Sequence, residues 1–221
     1  MTLYSRKVSK SIEIGIWKLT ETLEELESKY SPKSSEIGRY RLISNETRKR
    51  EWLATRILLR LMLNSDFLIS YDKAGKPCIN EISKEISITH TSDFVGVAIS
   101  DKPCGLDIES LHRRYERITS KFLHYKNEQW MHAQTSNQDD RTYLLTLIWV
   151  CKETLYKILS DKYIDLQNET YIEENESLLS ANTIEIHYET EKRRGKNNIH
   201  IEMLPKDYIL AYGVDNDTVN L

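Results

Sequence analysis

The run Cys104-Gly105-Leu106-Asp107-Ile108-Glu109 sets two carboxylates two positions apart in an apolar context. On a strand, positions i and i+2 share a face, so Asp107 and Glu109 point the same way while Leu106 and Ile108 anchor the opposite face in a core. Gly105 lets another backbone or a ligand approach closely. Two carboxylates on one face repel unless something positive lies between them, and Mg2+, which prefers oxygen ligands, is the commonest candidate. Taken alone, the run reads as an exposed edge with two solvated acids. Further on, Trp149, Glu153 and Lys157 fall at i, i+4 and i+8, one line along a helix. As a surface feature, Glu153 and Lys157 form a pair worth only about a few tenths of a kcal/mol. As a chemical feature, they are a third carboxylate and a cation aimed at one anionic ligand.

Other residues suit anions. A helix from about Ser44 to Asn64 carries a stripe of Lys49, Trp52, Arg56 and Arg60, with Arg48 and Arg50 at its entrance. A lone helix of this kind presents a solvated basic face, and the sharper alternative is a phosphate-binding face, because guanidinium groups fork onto phosphate oxygens. Gly75-Lys76-Pro77 lacks the glycine and hydroxyl residues of a phosphate-binding loop, yet it can present Lys76 on a rigid turn. His90, flanked by Thr89 and Thr91 at a strand end, suits anion or nucleotide contact better than core packing. The stretch His112 to Arg117 is locally basic, and its bland reading is a solvated face.

These side chains need a scaffold that the hydrophobic pattern supplies. Ile12, Ile14 and Ile16 alternate with Glu13, Gly15 and Trp17, which predicts a strand with one buried face. Leu23, Leu26 and Tyr30 recur at helical spacing, and Ser31-Pro32 ends that helix. In the Ser44–Asn64 helix, Leu53, Ala54, Ile57, Leu58, Leu61 and Met62 predict a mostly buried surface. A hairpin around Asp72 to Gly75 follows, then strands over 86–92 and 95–99. After Asp101-Lys102-Pro103, the second half repeats the plan with the acidic strand, an apolar face from Phe122 to Met131 carrying Glu128, and a polar loop over 135–140. A helix from Tyr143 to Leu159 comes next, its core side formed by Leu144, Leu147, Ile148, Cys151, Leu155 and Ile158. Strands through Ile184 to Tyr188, Ile199 to Met203 and Tyr208 to Val214 close it, with a turn expected over Lys192 to Asn197. The fold class is therefore α+β: two similar lobes, each a small antiparallel sheet packed with helices, spanning 1–103 and 104–221.

Composition bounds the rest. The chain has 221 residues, 39% of them apolar and 29% charged, enough for one large domain or two small ones with a real core. A net charge of −3 gives no global pull towards nucleic acid or an anionic membrane. Cys78, Cys104 and Cys151 are odd in number and lack metal-ligand spacing, the pattern of free thiols in a reducing cytosol. No run approaches the ~20 apolar residues of a membrane span, and no apolar stretch follows the N-terminus as in a secretion signal. The chain reads as a cytoplasmic protein.

Gly105-Leu106-Asp107-Ile108-Glu109 and Trp149-Val150-Cys151-Lys152-Glu153-Thr154-Leu155-Tyr156-Lys157 together resemble the paired signatures of the 4'-phosphopantetheinyl transferase superfamily. Arg50-Glu51-Trp52-Leu53-Ala54-Thr55-Arg56, Gly75-Lys76-Pro77 and Ile88-Thr89-His90-Thr91 resemble its flanking motifs in the right order. The length is similar to that of the monomeric, surfactin-synthetase-activating type, a pseudodimer of two lobes.

The resemblance implies transfer of the phosphopantetheine arm of coenzyme A to a serine of an acyl or peptidyl carrier protein, releasing 3',5'-ADP. It implies Mg2+ held by Asp107, Glu109 and Glu153, with Lys157 neutralising charge on the reacting phosphates. Lys76, Thr89, His90 and either Arg50 or Arg56 are the implied ligands of the coenzyme's phosphates, with Asp107 and Lys157 also facing the coenzyme. Glu128, Glu153 or a metal-bound water accepts the serine proton. The basic stretch Arg113 to Arg117, with Lys121 and Lys126, suits an acidic carrier-protein helix. The metal is expected just past the Pro103 turn, at the seam between the lobes. Thr89 stands where the family has serine, and an N-terminal lysine used on coenzyme A has no clear counterpart, with Lys33 and Ser34 nearest. Two other classes share part of this residue set: a Mg2+-dependent nucleotide or pyrophosphate hydrolase, and a silent carrier-protein-binding module.

Overall fold

The computed structural model describes residues 3–9, 11–135, 137–160, 163–174, 178–191, 193–216 and 219–220. The chain divides into two compact units, Met1–Asp101 and Lys102–Leu221. Each is an α+β lobe in which an antiparallel sheet packs against helices.

In the first unit the order is β1 (Leu3–Val8), β2 (Ile12–Lys18), α1 (Leu23–Lys29), α2 (Ser34–Leu42), α3 (Glu46–Leu63), β3 (Ser70–Tyr71), β4 (Pro77–Cys78), β5 (Glu85–His90) and β6 (Phe94–Ser100). The strands line up as β1-β2-β6-β5-β4-β3. Thr22 starts α1 with a reciprocal capping box to Glu25, and Asn45 caps α3 by accepting from the Arg48 amide. Leu53, Ala54, Ile57, Leu58, Leu59 and Met62 of α3 are buried. Each large apolar side chain so buried contributes about 1.5–3 kcal/mol of transfer free energy. Leu61, expected among them, lies 36% exposed on the outer face. β2 departs from its expected one-sided pattern: Gly15 and Trp17 are buried along with the isoleucines. It is an interior strand, and the Gly15 face lies so near α3 that a Cβ there would meet Met62 Sδ at 2.6 Å.

In the second unit β7 (Cys104–Ser110) is followed by a 3-10 helix (Tyr115–Lys121), α4 (Tyr125–Gln134), α5 (Gln138–Leu159), β8 (Thr170–Ile172), β9 (Thr183–Glu189), β10 (Arg193–Leu204), β11 (Tyr208–Val214) and β12 (Val219–Asn220). The sheet runs β7-β11-β10-β9-β8, with β12 beside β10. The lobes share a plan: the strand before the long helix pairs antiparallel with the last long strand of its unit, β2 with β6 and β7 with β11. Two boundaries and the burial of one residue differ from expectation. α5 begins at Gln138, because Asn137 caps it by accepting from the Asp140 amide at 2.8 Å, and Asp139 and Asp140 suit the positive end of the helix. Of the polar residues expected to form a loop, Thr135 ends α4, residue 136 lies outside the described residues, and Asn137 to Asp140 are the cap and first turn of α5. Arg193 to Asn197 belongs to β10, so the hairpin turn falls before Arg193; Lys192 lies outside the described residues. Met203 is 52% exposed, whereas Ile199 and Ile201 on its strand are buried. Among the described residues no helix is long and apolar enough to cross a membrane.

Candidate active site

β7 carries the site because of what lies above it. Leu106 and Ile108 are buried, and Gly105, Asp107 and Glu109 share the other face. At Gly105 a Cβ would collide with the Thr154 carbonyl of α5, so only glycine admits the helix this close to the strand. α5 then runs antiparallel to the acidic strand, with Trp149 over Glu109 and Lys157 over Asp107. Trp149 Nε1 donates to Glu109 Oε1 at 2.6 Å. Lys157 Nζ donates to Asp107 Oδ1 and to the Leu106 carbonyl, both at 2.8 Å. Glu153 lies one turn from each on the same helical line.

Glu109 is held more fully than the sequence foretold. Tyr115 Oη donates to its Oε2 at 2.8 Å, and Arg113 Nη1 lies 3.1 and 3.3 Å from its two oxygens. Tyr115 is buried at the start of the 3-10 helix, and Trp149 packs edge-on against Phe122 at 5.1 Å between ring centroids. Burial, then the neighbouring Asp107 charge, raises the Glu109 carboxyl above its ordinary value against the pull of these donors. The same two causes push Glu153 up to about 7, with Lys157 acting in the opposite direction. Three carboxylates thus share one partly desolvated site with two cations.

The donor set is all oxygen and carries more negative charge than Lys157 and Arg113 balance, which fits a hard divalent cation. Among the described residues no three histidine, cysteine, aspartate or glutamate side chains converge into a ready coordination shell. Ammonium and guanidinium groups engage the oxygens instead. Glu128 is exposed in the first turn of α4. Arg114, Arg117, Lys121 and Lys126 are also exposed, Lys126 lying over the Tyr171 ring at 3.9 Å. A cleft of about 320 Å³ opens beside Glu153, lined by Lys121, Trp149, Tyr156, Ile164, Asp165 and Leu166.

Lys152 is a residue the pattern did not single out. It is fully buried, and its ammonium donates to the carbonyls of Phe122, Leu166 and Thr170 at 2.7, 2.7 and 2.6 Å. Burial pushes it down to about 7, partly opposed by Asp165. One cation therefore pins the end of the 3-10 helix and the 166–170 segment, which contribute Lys121 and Leu166 to the lining of that cleft. The available signal was a lysine on an otherwise apolar line of α5.

The first unit's candidates are dispersed. Arg50 donates to the carbonyls of Glu21 and Leu19 at 2.8 and 3.2 Å. Arg56 is 4% exposed, bonds Glu36 at 2.6 Å and stacks on Trp52 at 3.2 Å from the ring centroid. The supposed solvated stripe is thus partly a buried ion pair joining α3 to α2, a helix that the pattern left unassigned. Thr89 is buried and His90 exposed; Arg48 Nη1 lies 2.9 Å from His90 Nδ1, with Glu51 3.4 Å from the same nitrogen. Lys76 is paired with Glu85 at the opposite end of β5, about 16 Å from His90 along the strand.

Residues 103–213 match the family described as the 4'-phosphopantetheinyl transferase superfamily. The chain is also similar to a curated protein of Aneurinibacillus migulanus named 4'-phosphopantetheinyl transferase gsp, 26% identical over 139 residues. That match covers 62% of this chain and 56% of the relative's length.

Proposed function

The chain belongs to the 4'-phosphopantetheinyl transferase superfamily, and on that premise we propose that it moves the phosphopantetheine arm of coenzyme A onto a serine of an acyl or peptidyl carrier protein. The serine oxygen forms a bond to the phosphorus that bears the arm, the phosphoanhydride bond breaks, and 3',5'-ADP leaves. The observation that supports the reading is that Lys157 of α5 bonds Asp107 of β7 while Asp107 and Glu109 both raise the neighbouring Glu153 carboxyl, which sets three acids and a lysine within electrostatic reach of one another.

Each residue has a part. Lys157, which bonds Asp107 and the Leu106 carbonyl, is the cation that would balance charge on the leaving diphosphate oxygens. Glu153 or the exposed Glu128 accepts the serine proton; burial and the Asp107 charge raise the Glu153 carboxyl in the metal-free site, and a bound cation would lower it. Asp107, Glu109 and Glu153 are the residues that would hold Mg2+, which when bound supplies Lewis-acid neutralisation of the diphosphate. In the first unit His90, exposed at the end of β5, is the proposed phosphate contact, whereas Lys76, Arg50 and Arg56 hold the protein partners described above and Thr89 is buried. The exposed basic side chains Arg114, Arg117, Lys121 and Lys126 suit an acidic carrier surface. The enzyme works as a monomer in the cytoplasm.

The test is to incubate the chain with apo carrier protein, coenzyme A and Mg2+ and to weigh the carrier. A gain of one phosphopantetheine supports the reading. An unchanged mass across fatty-acid, polyketide and peptide carriers refutes it, whether or not nucleotide hydrolysis accompanies the failure.

A further inference from the structure

Glu109 offers four acceptor directions on its two oxygens, and three side chains engage them. Two of the three are neutral and fixed: Trp149 on α5 and Tyr115 on the 3-10 helix, the latter buried. The third, Arg113, differs in every respect. It is charged, its side chain is 51% exposed, and it belongs to the turn between β7 and the 3-10 helix. Its contacts with Glu109 are the longest of the set, at 3.1 and 3.3 Å against 2.6 and 2.8 Å for Trp149 and Tyr115. The guanidinium carbon lies 5.4 and 5.7 Å from the Tyr115 and Trp149 ring centroids, at the open side of the aromatic pair.

We propose that Arg113 is a built-in counter-cation for Glu109 that a divalent metal must displace, so that this residue sets the affinity of the site for its metal. The inference rests on the reading of Asp107, Glu109 and Glu153 as the metal-holding set. The charge argument is simple. A guanidinium within hydrogen-bond reach and a metal ion both satisfy the same carboxylate, and their mutual repulsion makes the two occupancies compete. An exposed ion pair is weak enough to open, whereas the bonds from Trp149 and Tyr115 keep the carboxylate aimed while it does. The displaced guanidinium also has a destination. Beside it opens a cleft of about 430 Å³ lined by Leu111, His112, Arg113, Arg114, Gln138 and Thr142.

The experiment is a calorimetric titration of the full chain with Mg2+, without coenzyme or carrier, with tryptophan emission followed in parallel. Arg113→Met keeps the aliphatic stem and removes the charge. Arg114→Met removes the same charge one residue along the chain, and Arg113→Lys restores a cation. Arg113→Met is expected to bind Mg2+ roughly three- to tenfold more tightly than the parent, the scale of one exposed pair with added charge relief. Arg114→Met is expected to change it by less than about twofold, and Arg113→Lys to return it towards the parent value. Equal or weaker binding by Arg113→Met, or an identical gain in Arg114→Met, overturns the proposal while leaving the metal reading intact. No Mg2+ binding by any of the four folded proteins overturns the metal reading and this inference with it.

Discussion

Lys157 bonds both the carboxylate of Asp107 and the carbonyl of the residue before it, Leu106, so one ammonium fixes the register of α5 on β7. The pair is largely withdrawn from solvent, the Asp107 side chain being 9% exposed. Replacing Lys157 by Met leaves Asp107 buried without its cation and removes the charge that faces the leaving phosphate. Transfer should fall by about two orders of magnitude or more in kcat, with about 1–3 kcal/mol lost from unfolding free energy. Steady-state kinetics with urea unfolding check both, and a kcat within a few fold of the parent would refute the role given to Lys157.

Glu153 makes a pH-dependent prediction for the metal-free protein. Its carboxyl titrates near 7 when folded, against an ordinary 4.5 when unfolded, so the native state holds the extra proton between those values. Stability therefore declines as pH rises from 4.5 through 7 and levels off above. Glu153→Gln should remove that slope: it stabilises the metal-free protein at pH 8 by on the order of 1–3 kcal/mol and matches the parent below pH 4.5. Urea midpoints across this range decide it, and parallel curves for the two proteins would contradict the assignment.

Gly105 predicts a steric result. Gly105→Ala drives a methyl group into the Thr154 carbonyl, a backbone atom that moves only if α5 moves. It should cost about 2–4 kcal/mol and disable the site by lifting Glu153 and Lys157 from the acidic strand. Gly38→Ala, in α2 with nothing within 4 Å of the new methyl, should instead stabilise by about 0.5–1 kcal/mol. Thermal denaturation of the pair gives the contrast directly; similar Tm values would show that α5 does not press on Gly105.

Lys152→Met tests the buried strut. The methionine fills a similar volume but strands the carbonyls of Phe122, Leu166 and Thr170, for an expected loss of about 3 kcal/mol or more. Amide exchange should rise first in the 166–170 segment. A loss under about 1 kcal/mol with unchanged exchange would mean that the three carbonyls find other partners.

Much of this was legible in the chain because it rests on short periods. The two-residue repeat of β7 and the four-residue line of Trp149, Glu153 and Lys157 are local properties, and they placed the carboxylates and the cation on common faces before any packing was known. Stretches whose chemistry is ambiguous locally were read less well. Asn137 to Asp140 looks like a polar loop and is a capped helix start, because the cap bond and the helix-end charges are favourable only once α5 continues beyond them. Arg56 looked solvated on α3 and is buried, because Glu36 arrives from α2, twenty residues upstream, to neutralise it.

By itself, then, the sequence determined the acidic strand and the helix that answers it through spacings of two to eight residues, the α+β lobes through its hydrophobic pattern, and the family through the resemblance of its motifs. Only the tertiary structure decided how the charges are shared: that Lys157 rests on Asp107, that Glu109 is held by Trp149, Tyr115 and Arg113, and that Lys152 is swallowed by three carbonyls. The physical reason is that the state of a buried charge depends on every donor and acceptor that desolvation brings against it. Those partners come from elements up to about fifty positions away, where periodicity carries no information.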